Sequence, residues 1–263
     1  VGFSTDWLTL REPADREARD HTLLQRAVEL AGVDPILMDL GCGTGSTVRT
    51  LEPALPEGAT WRLVDNDPVL LERALEAAGN TSRGHLVDID QLDSLPWEGV
   101  TLVTASALLD LVTEDWLVRL SEVLTVPFYA ALSYNGQMHW DPVDPRDQAV
   151  TEAFNRHQRQ NKGLGPALGP TSVEKTIEVF EAAGFTVLHG DSPWQLGPEF
   201  TELQQALVAG IAQAASEAAG EPDETTAKAW GETRVAQAAQ TRCVIGHGDL
   251  LIIPRSLSST VVS

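Results

Sequence analysis

Residues 37–46 read Leu-Met-Asp-Leu-Gly-Cys-Gly-Thr-Gly-Ser, an apolar strand that runs into three glycines and then into a helix starting near Thr47. Glycines at 41, 43 and 45 permit positive φ and let the backbone come close to a ligand, while the helix N-terminus offers unpaired N–H groups. Glycine-rich turns are common, so the surroundings decide what this one means. Asp65 lies twenty residues beyond Gly45, at the end of the next strand, where a carboxylate can accept from both hydroxyls of a ribose. The spacing is G-x-G-x-G and position 46 is serine, so the third glycine of a dinucleotide loop is missing and pyrophosphate binding is disfavoured. Asp39, just ahead of the loop, would repel a diphosphate but could help hold a cationic amino group, directly or through water.

Working outward, seven short apolar runs read as strands: 36–40, 61–65, 85–89, 100–106, 128–134, 185–190 and 249–254. Helical signals separate them. Asp67 followed by Pro68 is a cap with proline at the first helical position, and that helix runs to Gly79. Thr171 and Glu174 make a capping box whose helix stops at Gly184. Another helix is expected from Asp15 to about Ala31. This alternation predicts an α/β fold, a doubly wound, mostly parallel seven-stranded sheet with its ligand beyond the carboxyl ends of the strands. The whole chain, 1–263, reads as a single domain with a helical segment at 1–32. Residues 135–170 and 198–241 interrupt the alternation and are expected as helical insertions over the ligand end.

The motif Asp-Leu-Gly-Cys-Gly-Thr-Gly, with an acidic residue ending the second strand, resembles the class I S-adenosylmethionine-dependent methyltransferases over roughly residues 33–135. The resemblance implies their Rossmann-like fold and S-adenosylmethionine as cofactor, with S-adenosylhomocysteine as product and no metal. Position by position, it implies that Gly41, Gly43 and Gly45 wrap the methionine and ribose portions, with Cys42 and Thr44 contributing backbone. Asp65 would hold the ribose hydroxyls, Asn66 would lie beside the adenine, Asp88 would accept from the adenine amino group, Ile89 would pack on the ring, and Ser106 would face the sulfonium. The chain departs from the simplest family pattern near its end, where 198–241 separates two strands that usually form a close hairpin.

The acceptor side is less defined. Beyond the fourth strand, where many nucleic-acid amino methyltransferases carry N-P-P-Y or D-P-P-Y, this chain has Ser-Ala-Leu-Leu-Asp, which speaks against base methylation. Asp110 either orients the acceptor or caps the helix starting near Thr113. Residues 134–162 concentrate polar and aromatic groups: Tyr134, at a strand terminus, is expected in the pocket, and His139 or His157 could take a proton from a hydroxyl or amine. For either histidine the competing reading is an ordinary surface or hydrogen-bonded residue, and His85, His189 and His247 are read as satisfying backbone groups. Arg11 either reaches the donor's carboxylate, which a guanidinium grips with two parallel bonds, or makes an exposed salt bridge.

The 263 residues carry 18 Lys+Arg against 38 Asp+Glu, a formal net charge of -20 that repels phosphate backbones and anionic membranes. No nucleic acid or membrane partner is therefore expected; a small-molecule acceptor is, with the protein a monomer or homodimer. Two cysteines are too few for a disulfide framework, no apolar run reaches the length of a membrane span, and the first twenty residues lack the pattern of a signal peptide, so a cytoplasmic location is expected. The reading is a methyltransferase moving a methyl group to O or N of a small molecule. Its alternatives are a nonenzymatic module that binds the same donor or its product, a protein methyltransferase, and a nicotinamide oxidoreductase, which the glycine spacing and Asp39 disfavour.

Overall fold

The computed structural model describes residues 4–79 and 82–260. The chain opens with α1 (Thr5–Ala18) and α2 (His21–Ala31), then β1 (Ile36–Leu40), α3 (Ser46–Leu51), β2 (Thr60–Asp65), α4 (Pro68–Ala78) and β3 (Ser82–Leu86). It continues through β4 (Leu102–Ser106), α5 (Glu114–Val123), β5 (Phe128–Asp141), α6 (Asp147–Gln158), α7 (Ser172–Ala182) and β6 (Thr186–Asp191). The three-residue β7 (Trp194–Leu196), α8 (Thr201–Glu217), α9 (Glu224–Gln237) and β8 (Arg242–Ile253) complete it.

The strands form one sheet in the order β3-β2-β1-β4-β5-β8-β6, with β7 pairing β8 off this path. The first five pair in parallel and β8 runs antiparallel to β5, β6 and β7. Alternate residues of the central strands point to opposite faces, and both faces are apolar. Met38, Leu40, Val103, Phe128 and Leu250 bury against Trp116 and Leu120 of α5 and Phe180 of α7. Leu37, Leu102, Tyr129 and Leu251 bury on the other face against α2, α3 and α4. This is the expected doubly wound sheet, its seven strands joined by the short β7. No helix among the described residues is long and apolar enough to cross a membrane.

Three local expectations are corrected. The helix predicted from Asp15 to Ala31 is two helices, because Asp20 turns out of helical conformation and its carboxylate accepts from Thr22 N and Leu23 N to start α2 afresh. α1 instead begins ten residues before Asp15, capped by Ser4, and carries Pro13 in its interior, where proline removes one backbone donor without ending the helix. The capping box at Thr171 does not form: a 3-10 turn over Gly169–Thr171 leads into α7, and the Thr171 hydroxyl donates back to Leu168 O. The expected cap at Asp67 does form, accepting from Val69 N and Leu70 N, and α5 is capped by Thr113, which accepts from Trp116 N.

β5 and β8 are longer than expected. They continue as an antiparallel ribbon to the pair Asp141↔Arg242, beyond the end of the parallel strands. Residues 198–241 supply the two expected helices, but α8 and α9 pack on this ribbon through Trp140, Leu203, Ile211 and Trp230. The buried Arg234 grips Asp147 of α6 there, with Arg234 Nε 3.2 Å from Asp147 Oδ1.

Candidate functional site

β1 ends at Leu40 and the chain passes through Gly41 (φ 64°), Gly43 (φ 53°) and Gly45 (φ 82°) into α3. At Gly45 the need for glycine is doubled: a Cβ would lie 3.2 Å from Ala74 Cα and Ala77 Cβ of α4, on a backbone conformation that side chains rarely adopt. Gly45 thus lets α4 press against the loop. The Cys42 amide donates to Val64 O across the strand ends, which ties the loop to β2.

Asp65, the last residue of β2, accepts from Gly43 N and Asp67 N, each at 2.9 Å, one on each oxygen. A carboxylate has about four lone-pair positions, so each oxygen keeps room for a further donor. Burial raises the Asp65 pKa, and the amides of Asp67 and Gly43 oppose that rise.

A cavity of about 510 Å³ opens at these strand ends, a size suited to a nucleotide-sized ligand. Its wall includes Gly41, Cys42, Gly43, Asp65, Asn66, Asp88, Ile89 and Ser106, and so brings together most of the expected donor residues. Arg11 joins them from α1. Its guanidinium grips Asp15 with two bonds, Nε to Oδ2 at 2.8 Å and NH2 to Oδ1 at 3.0 Å, and lies 4.9 Å from the Trp194 ring centroid. Trp194 Nε1 donates to Asp15 Oδ1 in turn. Arg11 is therefore neither an exposed pair nor a free cation, but a guanidinium locked in place at the cavity wall.

Two expected donor residues stand outside the wall. Gly45 faces α4, as described. Asp39 is buried beneath the loop, where its Oδ1 accepts from Thr104 Oγ1 at 2.7 Å and its Oδ2 has no partner. Burial pushes its pKa up to about 7 against the pull of Thr104 and Arg19. Asp39 is not among the residues that line the cavity.

The expected acceptor residues are corrected more heavily. His139 lies exposed on the β5–β8 ribbon, paired with Val244, because β5 carries it past the cavity. Tyr134 is buried: its hydroxyl donates to Asn155 Oδ1 at 2.8 Å, and desolvation pushes its pKa well up. His157 sits behind the wall between Lys162 Nζ (3.3 Å) and Glu217 Oε2 (3.4 Å), and burial lowers its pKa. Asp110 does not line the cavity either, and it is not the cap of α5, which is Thr113. Its Oδ1 is sealed from solvent without a partner, and desolvation raises its pKa to about 6.

Several wall residues were not anticipated: Leu8 and Asp15 of α1, Leu108, Leu111, and Gly163 and Leu164, which extend the 162–164 segment from Lys162, itself the last residue of the polar stretch 134–162 expected over the pocket. That segment borders the cavity as a short loop, called the flap below. Asn161 and Pro166 close it with a bridge, and Asn161 Oδ1 accepts from Gly163 N and Gly165 N. The i, i+4 spacing of Arg11 and Asp15 puts both on one face of α1; Arg19, just past the end of that helix, is buried and donates to Ser106 Oγ at 3.0 Å.

The fold recurs in solved structures. A cyclopropane-fatty-acyl-phospholipid synthase-like protein from Lactobacillus casei superposes with a TM-score of 0.60 at 13% identity, over 97% of this chain and 95% of that one. A methyltransferase from Geobacter sulfurreducens in complex with S-adenosylhomocysteine gives 0.51 at 13% identity, over 96% and 99%. In sequence, a trans-aconitate 2-methyltransferase of Streptomyces coelicolor is 32% identical over 138 residues, 48% of this chain and 45% of that protein. In fold, and in sequence over part of its length, the chain is similar to S-adenosylmethionine-dependent methyltransferases. A trans-aconitate 2-methyltransferase of Klebsiella pneumoniae is 29% identical over 172 residues, 63% of each chain. The match thus spans about half to two thirds of the length of these curated relatives. No family model matches the chain.

The cavity wall is rich in carboxylates. Asp15, Asp65, Asp67 and Asp88 line it, a donor set suited to a cationic sulfonium ligand with ribose hydroxyls and an amino-bearing base, and ill suited to a diphosphate.

Proposed function

We propose that the protein transfers a methyl group from S-adenosylmethionine to an oxygen or nitrogen atom of a small-molecule acceptor. The observation that carries this reading is the joint placement of Gly41, Gly43, Asp65, Asp88 and Ile89 on one cavity wall. The bound donor supplies a methyl whose bond to sulfur breaks, leaving the electron pair on sulfur, as the acceptor's lone pair bonds to carbon. The chain's part is to orient and enclose. Asp65 receives the ribose hydroxyls on the lone pairs its two amides leave free, and Asp88 faces the adenine amino group with Ile89 against the ring. Arg11 and Ser106 stand at the methionine end, and the flap at 162–164 shields the reacting atoms from water. Such positioning can supply about 7–11 kcal/mol of a barrier.

No histidine or tyrosine lines the cavity among the described residues. This favours an acceptor atom that arrives already deprotonated, such as a carboxylate oxygen, whose pKa of about 4 leaves it ionised at neutral pH. The names of the sequence relatives, trans-aconitate 2-methyltransferases, support an acceptor of that kind. The test is incubation with S-adenosylmethionine and a panel of small hydroxy, amino and carboxylic acids, with S-adenosylhomocysteine release and product mass as readouts. Acceptor-dependent release with a gain of one methyl in the acceptor is expected. Tight donor binding with no turnover across the panel, or methyl appearing on added protein, would contradict it.

A further inference from the structure

The chain has three lysines in all. Two lie on helix surfaces in pairs with neighbouring glutamates, Lys175 with Glu178 at 2.6 Å and Lys228 with Glu224 at 2.5 Å. The third, Lys162, lines the cavity and has no carboxylate within 4.0 Å among the described residues. Among the described residues the hydrogen-bond partner of its side chain is an imidazole ring: Nζ lies 3.3 Å from His157 Nδ1, and His157 Nε2 lies 3.4 Å from Glu217 Oε2. In that arrangement Nδ1 accepts from the ammonium while Nε2–H donates to the glutamate, so His157 aims Lys162 without neutralising it. The flap that carries Lys162 is held by Asn161, whose side chain takes two flap amides.

The other cation on the wall is already matched, since Arg11 holds Asp15 with both prongs. In a protein of formal net charge -20, with four aspartates on the same wall, an unmatched ammonium is the feature out of keeping with its surroundings. Partial desolvation lowers the Lys162 pKa, a cost that a bound anion would remove. Asp110 and Glu217 favour its charge from a distance, yet neither closes an ion pair with it.

We propose that Lys162 is the anchor for a carboxylate group of the acceptor, so that the flap selects anionic small molecules as it closes over the donor. The inference rests on the methyltransferase reading above and names the substrate class of that site.

The test is calorimetric titration of succinate, citrate and trans-aconitate into protein saturated with S-adenosylhomocysteine, using wild type, Lys162→Met and Lys162→Arg. At least one of the three acids is expected to bind wild type saturably, to lose tenfold or more in affinity in Lys162→Met, and to recover part of it in Lys162→Arg. Affinity for S-adenosylhomocysteine should be equal in all three proteins, which also shows that they fold. If no acid binds, or if Lys162→Met binds as wild type does, the anchor is wrong while the donor reading stands. Loss of S-adenosylhomocysteine binding in Lys162→Met would assign the lysine to the donor instead, which overturns the proposal. Failure of wild type to bind S-adenosylhomocysteine would sink the donor reading and this inference with it.

Discussion

The two sides of the cavity are built differently. On the donor side, each wall residue sits within a few positions of a strand end, and its geometry follows from local backbone: positive φ at the loop glycines, the Asp67 cap, the amides on Asp65. On the acceptor side, the wall is assembled from distant segments. Arg11, at the methionine end where the two sides meet, is held by Trp194, and the flap at 161–166 is docked by Leu168 N donating to Val112 O and Gly169 N donating to Asp110 O. Local geometry is written in neighbouring residues, whereas long-range assembly depends on where the rest of the fold delivers its parts. One side of such a site can therefore stay constant while the other is rebuilt for a new acceptor.

The largest effect expected from breaking the local side is at Gly45. Gly45→Val combines a positive φ with a close approach to α4, so thermal or denaturant unfolding should show a loss on the order of 1–3 kcal/mol together with weakened donor binding. A variant of unchanged stability would mean that α4 does not depend on that contact.

Asp39 gives the next effect, and it appears in the pH dependence of stability. Its folded pKa is raised to about 7 from an ordinary 3.8, so between these values the folded state binds more protons than the unfolded state. Stability from this group should therefore fall as pH rises from about 4 to 7, by up to about 1.4 kcal/mol per pH unit. Asp39→Asn keeps an oxygen for Thr104 and should flatten that slope; an unchanged slope would contradict the assignment.

The long-range side is sharpened by Trp194→Phe, which removes the donor to Asp15 while keeping an aromatic face for Arg11. A loss of about 1 kcal/mol in stability is expected. Donor or acceptor affinity should fall by severalfold, measured by calorimetry. The smallest effect is expected at His139, exposed on the ribbon: His139→Ala should turn over within twofold of wild type, and a tenfold loss would return it to the site.

The contrast also explains what the sequence made legible. The central strands, the cap at Asp67, and the wall positions of Gly41, Gly43, Asp65, Asp88 and Ser106 follow from motifs shorter than one strand-turn-helix unit. The misplacements arose where distance along the chain is no guide. β5 runs on to Asp141, which carries His139 away from the cavity, and this extension is set by pairing with β8, a hundred residues later. Tyr134, His157 and Asp110 were close in sequence to the right region but lie behind the wall, because burial depends on α6, α7 and the flap packing together. Arg11 was legible as a residue type; its lock on Asp15 and Trp194 was not.

The most direct test of the donor site is calorimetric titration of S-adenosylmethionine, S-adenosylhomocysteine and NAD into wild type and Asp65→Ala. Saturable binding of both sulfur ligands but not NAD is expected. Removing the carboxylate should weaken that binding by about 2–3 kcal/mol, on the order of 100-fold. Binding of NAD without either sulfur ligand, or donor binding indifferent to Asp65→Ala, would contradict the account.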